Sequence, residues 1–87
     1  MRKTYNDILK ELCHDRIVSA RIENNLTQAQ MAEYLVMDLR SYANIDSGRS
    51  SCSLLTFVLY LIYFCTDITD FIQGIQISFD NARQNVA

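Results

Sequence analysis

Apolar side chains return along this chain at intervals of three and four, in five blocks separated by polar residues. In "TYNDILKELCHDRIVSARIENN", Tyr5, Ile8, Leu9, Leu12, Cys13, Ile17 and Ala20 follow helical spacing. Thr4 precedes the block as an N-cap, and Asp7 stands in the first turn, where the helix dipole favours a carboxylate. Asn24-Asn25 ends it, since Asn tolerates the left-handed backbone common after a helix. The pattern predicts one long helix, or two abutting ones, from about Tyr5 to Glu23. The second block, "LTQAQMAEYL", opens with Thr27 and Gln30 spaced as a capping box, and turns Met31, Ala32 and Leu35 inward. Asp38 caps a third helix with Tyr42 and Ile45 on its buried side, and Gly48 closes it through a positive φ. After the loop "RSSCS", Ser53 caps the apolar block "LLTFVLYLIYFC", and Asp67 caps a short "ITDFIQ" that Gly74 is expected to close. Beyond that the pattern supports two readings. Ile75, Ile77 and Phe79 alternate as in a strand, whereas Ile68, Phe71 or Ile72, Ile75, Phe79, Ala82 and Val86 keep helical spacing.

Composition supports the helical reading. The chain has 87 residues, no proline and only two glycines, with 49% hydrophobic residues, enough for one domain with its own core. The apolar run from Leu54 to Cys65 is too short to cross a bilayer, which takes roughly twenty residues. Three cysteines without paired spacing, and no signal peptide, point to the reducing cytoplasm and to structural thiols. Cys13-His14 is not accompanied by the further ligands a metal needs, so no metal or other cofactor is expected. No Ser/His/Asp set, phosphate-cradling glycine loop or carboxylate pair marks an enzyme, and His14 lacks a partner that would make it catalytic. Net charge is −2, an unhelpful sign for a protein that would bind a polyanion.

From Ile17 to Ile72, "RIENNLTQAQMAEYL", "SYANIDSGR" and "SLLTFVLYLIYFCTDITDFI" together resemble, without a gap, the phage-repressor, Cro-like helix-turn-helix family of DNA-binding domains. The resemblance covers about two thirds of the chain. It implies an all-α fold: a compact five-helix bundle over 17–72, preceded by an N-terminal helical extension (1–13) and followed by a short C-terminal tail (74–87). It also implies a homodimer on a palindromic operator of double-stranded DNA, with the third helix reading bases. By position, Gln28 would touch a phosphate, Leu39, Arg40 and Asn44 would reach base edges, and Ser41 would lie at the backbone. Arg49 would reach a further phosphate. Side-chain chemistry agrees at two of these positions, because Arg pairs bidentately with guanine and Asn with adenine.

Several residues depart from the family pattern. Val36 stands where the family usually has Gly in the turn. A β-branched residue at positive φ is strained by roughly 1–2 kcal/mol, so a negative φ and a different turn geometry are expected there. Cys52 replaces a usual Pro, and Asp38 replaces Ser or Thr. Between positions 17 and 72 Arg21, Arg40 and Arg49 face six acidic residues, which implies few phosphate contacts and a shallow salt dependence.

The family pattern turns Leu54, Phe57, Val58, Leu61 and Phe64 into the core and leaves Leu55, Leu59 and Ile62 as an outward apolar stripe. Those three are the expected dimer interface, unless the chain's own terminal segments cover them. The leading functional expectation is a DNA-binding transcriptional regulator, a repressor. The alternative is a protein-interaction or dimerisation module, an antirepressor or adaptor, on the same bundle. Neither reading calls for a small-molecule ligand or a membrane.

Overall fold

In the computed structural model, which describes residues 4–65 and 67–84, the blocks fold as α1 (Tyr5–Glu23), α2 (Gln28–Tyr34), α3 (Leu39–Asp46), α4 (Leu54–Tyr63) and α5 (Ile68–Gln84). No strand occurs among the described residues, so the architecture is all-helical. The caps read from the sequence are in place. Thr4 accepts from the Asp7 N–H and Thr27 from that of Gln30, and each N3 side chain bonds back to its cap. Asp38, Ser53 and Asp67 cap α3, α4 and α5 through the N–H groups of Ser41, Thr56 and Asp70.

The ends of α1, α2 and α3 are built alike. Each finishes in a Schellman motif, in which one residue at positive φ lets its own N–H and that of the next residue close onto the last turn. Asn25 (φ 55°) does this for α1, with Asn25 and Leu26 bonding Ile22 and Arg21. Gly48 (φ 80°) does it for α3, with Gly48 and Arg49 bonding Ile45 and Asn44. At the end of α2 the residue is Val36, at φ 54°, with Val36 and Met37 bonding the carbonyls of Glu33 and Ala32. The negative φ expected there is wrong. The two hydrogen bonds and the anchoring of Met37 against the core hold Val36 in the left-handed region despite its Cβ.

Ile17, Met31, Leu35, Tyr42 and Phe71 are the largest fully buried side chains. The inward positions predicted for α2 and α3 (Met31, Ala32, Leu35, Tyr42, Ile45) are all buried. Around Phe71 an aromatic group gathers, with Phe57 at 5.7 Å and Tyr60 edge-on at 6.0 Å between ring centroids. This group sets the rotation of α4. Thr56 and Tyr60, one turn apart, become its buried residues, and the Thr56 hydroxyl is satisfied by Ser53 Oγ at 3.1 Å.

The expected core face of α4 is therefore corrected. Leu54 (79% exposed) and Val58 point outward, while Leu59, assigned to the outward stripe, packs against the core cluster. Leu55 and Ile62 remain outward, 60% and 64% exposed.

The C-terminal tail is also corrected. Gly74 does not end a helix; α5 runs through it to Gln84, and the helical reading of the ambiguous segment holds up to Ala82. Val86 lies outside the described residues, as do positions 1–3 of the N-terminal extension. Glycine inside a helix costs about 1 kcal/mol, and here α1 offsets it by packing antiparallel along α5. Tyr5 stacks on Phe79 at 4.7 Å and receives a hydrogen bond from Arg83 at 2.7 Å, while Arg16 lies over Phe71 and beside Asp70. The terminal segments thus cover each other rather than the outward face of α4. No helix among the described residues is long and apolar enough to cross a membrane.

Candidate nucleic-acid interface

Helix α3 turns about 100° per residue, so burying Tyr42 and Ile45 directs Arg40, Ala43, Asn44 and Ser47 away from the core. Arg40 and Asn44 stand one turn apart on that side, Arg40 exposed and Asn44 half-buried. Neither side chain bonds another group among the described residues, and the same holds for the exposed Arg49, whose backbone N–H closes the α3 cap. Leu39, at the start of α3, is about half exposed. Arg40 and Asn44 therefore share the outer side of α3, while Leu39 and Arg49 are exposed at and beyond its two ends.

Two other candidates are already engaged. Gln28 is half-buried and turned back onto the protein, its amide donating to Asp46 Oδ2 at 3.1 Å. Ser41 Oγ donates to the Asp38 carboxylate at 3.1 Å, and the Ser41 N–H donates to the same group at 2.7 Å. These bonds hold the Asp38 carboxyl below the ordinary aspartate range. A phosphate approaching the start of α3 would thus meet a carboxylate. Gln28 would have to leave Asp46 to reach one.

Asp46 is the organising residue, and its role was not read from the sequence. Its carboxylate accepts from Arg21 Nε (2.9 Å), Tyr42 Oη (2.8 Å) and Gln28 (3.1 Å), so α1, α2 and α3 meet at one charge. The pair is largely shielded, with the Arg21 and Asp46 side chains 20% and 12% exposed. Burial works against the Asp46 charge, but the Arg21, Tyr42 and Gln28 hydrogen bonds outweigh it and leave the carboxyl below its usual range. Burial, and then the bond to this carboxylate, pushes the Tyr42 phenol upward. The Asp46 carbonyl takes a further bond, from His14 Nε2 at 2.9 Å. That contact raises the His14 pKa, with burial opposing it and Asp15 at 3.2 Å assisting. Only the i, i+4 spacing of Tyr42 and Asp46 hinted at this cluster. Arg21 and His14 are brought to it by the packing of α1 on α3.

The cluster changes the charge balance of the region. Asp46, counted as acidic from the sequence, is neutralised by Arg21. Around the outer face of α2 and α3 that leaves Arg40 and Arg49 against Glu33 and Asp38. By formal charge the remaining exposed residues of α2, α3 and their flanking turns balance, two against two. Among the described residues, no group of three or more His, Cys, Asp or Glu is placed to hold a metal.

Comparison with known proteins adds no relative. The chain matches no family model, no curated protein and no solved structure.

Proposed function

We propose that this protein is a cytoplasmic, sequence-specific DNA-binding regulator of the phage-repressor helix-turn-helix type, a repressor acting as a homodimer on a palindromic operator. The observation that carries the proposal is the outer side of α3. There Arg40 and Asn44, suited to guanine and adenine, project one turn apart, with no intramolecular partner among the described residues. The helix that presents them is fixed from behind by Tyr42, Ile45 and the Asp46 cluster. Contact with bases therefore requires little reordering of α3. The balanced formal charge and the scarcity of cations make binding weak per subunit, which favours two copies on two half-sites.

The face that joins the copies is the outward side of α4. As corrected by the fold, the stripe is Leu54, Leu55, Val58 and Ile62. None of them belongs to the core cluster or is covered by the terminal segments. Burying each such side chain is worth roughly 1.5–3 kcal/mol, which makes an uncovered stripe of four unfavourable in water. Leu55→Glu should convert the dimer to monomers in analytical ultracentrifugation. A Leu55→Glu protein that remains dimeric would place the interface on another face.

A gel-shift with DNA flanking the protein's own gene tests the reading directly. Arg40→Ala should weaken binding to the best site by about 1–3 kcal/mol and relax preference at one base pair. Unchanged affinity would remove Arg40 from base reading. The second reading, a protein-interaction module, is favoured by a specific observation: the Asp38 carboxylate stands at the start of α3 and Gln28 is withdrawn onto Asp46. Absence of any shifted complex, together with a stable dimer, would select it.

A further inference from the structure

Cys13 and Cys52 stand far apart in sequence and were both expected to be inert structural thiols. The fold brings them together at one cleft, Cys13 on the inner side of α1 and Cys52 in the loop that leads into α4. Both line an open cleft of about 430 Å³, together with Asn6, Lys10, Ser53 and Phe57. Cys13 is buried, whereas Cys52 is only half-buried and is reached from the cleft. Cys52 immediately precedes Ser53, the N-cap of the ten-residue helix α4, so the residue stands at the positive end of that helix dipole. Lys10 supplies a cation to the same cleft. A helix N-terminus, a nearby cation and a donor thiol are the surroundings that favour a thiolate. The third thiol, Cys65, lies past the other end of α4 and lines a different depression, with Arg16 and Tyr60.

We propose that Cys52 and Cys13 form a peroxide-reactive thiol pair, in which Cys52 is the nucleophile and Cys13 the resolving thiol. The Cys52 thiolate attacks one oxygen of a hydroperoxide. The S–O bond forms as the O–O bond breaks, and the departing oxygen takes up a proton to leave as water or an alcohol. Cys52 is thereby oxidised by two electrons to the sulfenic acid, and the hydroperoxide is reduced by two. Cys13 then loses its proton and attacks the Cys52 sulfur. The S–S bond forms, the S–O bond breaks, and hydroxide leaves with that proton as water. Contact with Cys13 works in both directions, holding the Cys52 thiol below the ordinary cysteine range and the Cys13 thiol above it. The thiol that the cleft exposes is thus the one charged first. The resulting bridge would tie α1 to the entrance of α4 and enclose α2 and α3 in a covalent loop. The proposal is independent of whether the protein binds DNA.

The test is oxidation of the full chain with hydrogen peroxide, followed by intact mass and peptide mapping without reductant. The expected product is lighter by two hydrogen atoms, contains a peptide joining Cys13 to Cys52, and leaves Cys65 free for alkylation. Cys13→Ser should halt the sequence at a Cys52 sulfenic acid that dimedone traps. Cys52→Ser should slow thiol loss at least tenfold. Cys65→Ser should leave formation of the bridge unchanged, which keeps the proposal testable if either other variant folds poorly. Oxidation of Cys65 as fast as Cys52 in the unmutated chain, or absence of a Cys13–Cys52 peptide, would overturn it.

Discussion

The α2–α3 end and the outer halves of α1 and α5 hold together by different means. Helices α2 and α3 have seven and eight residues, lengths at which an isolated helix is marginal in water. They persist because Met31, Leu35, Tyr42 and Ile45 are buried, because each helix ends in a Schellman motif, and because Asp46 clamps them to α1. The outer halves of α1 and α5 belong to helices of 19 and 17 residues, yet Ile8 is the sole buried residue before Cys13 on α1, and α5 buries only Phe71 among its described positions. What joins them is surface contact: Tyr5 on Phe79, and Arg83 over Tyr5. Helix length does not measure how firmly a region is held. Buried area and satisfied polar groups do.

Substitutions at the two ends should separate accordingly. Asp46→Ala carries the largest expected effect, because it leaves Arg21, Tyr42 and Gln28 without their shared acceptor. We expect a loss of about 2–4 kcal/mol in urea unfolding, a large share of the stability of a domain this size. A loss below about 1 kcal/mol would show that the cluster relaxes onto water, and would erase the contrast.

Tyr5→Ala removes the stack on Phe79 and the acceptor of Arg83 from the other end. Its cost should be about 0.5–1.5 kcal/mol. A value matching Asp46→Ala would make the α1–α5 contact as important as the buried end.

Val36→Gly tests the α2–α3 end in the opposite direction. It removes Cβ strain of roughly 1–2 kcal/mol against an unfolded-chain entropy cost of about 0.4–1 kcal/mol, and Val36, 71% exposed, gives up little packing. The protein should gain about 0.5–1 kcal/mol, seen as a rise in Tm of a few degrees. A fall in Tm would mean that the valine side chain contributes more at the turn than its exposure indicates.

Much of the fold was legible because it depends on neighbours in sequence. Thr27 with Gln30, Asp38 with Ser41, and Gly48 after α3 are local signals, and each formed the cap its spacing predicted. The misreadings share one cause, which is tertiary packing. Gly74 breaks an isolated helix but not one supported along its length by α1. Nearly every residue of α4 is apolar, so periodicity cannot fix its rotation, and the rings of Phe57, Tyr60 and Phe71 decide that Leu59 turns in and Leu54 turns out. Val36 keeps its positive φ because the turn's two hydrogen bonds seat Met37 against the core, a tertiary contact that intrinsic strain does not reveal. At the candidate interface, Arg40 and Asn44 were singled out by the family resemblance, and burial of Tyr42 and Ile45 agrees with their place on the outer side of α3. The withdrawal of Gln28 did not, since it needs Asp46 to be delivered from another helix.

The Tyr5–Arg83 bond also bears on the order in which the chain assembles. It joins residues 78 positions apart, whereas Gln28 and Asp46 are separated by 18. Closing the longer loop costs on the order of 1 kcal/mol more chain entropy, about two doublings of loop length. The α2–α3 contacts are therefore expected to form earlier, with the α1–α5 zipper closing onto that core. In the folded protein the same order runs backwards. Amide protons near Tyr5 and Phe79 should exchange through partial openings that leave Met31 and Tyr42 protected, so the molecule unlatches at its joined ends well before it unfolds.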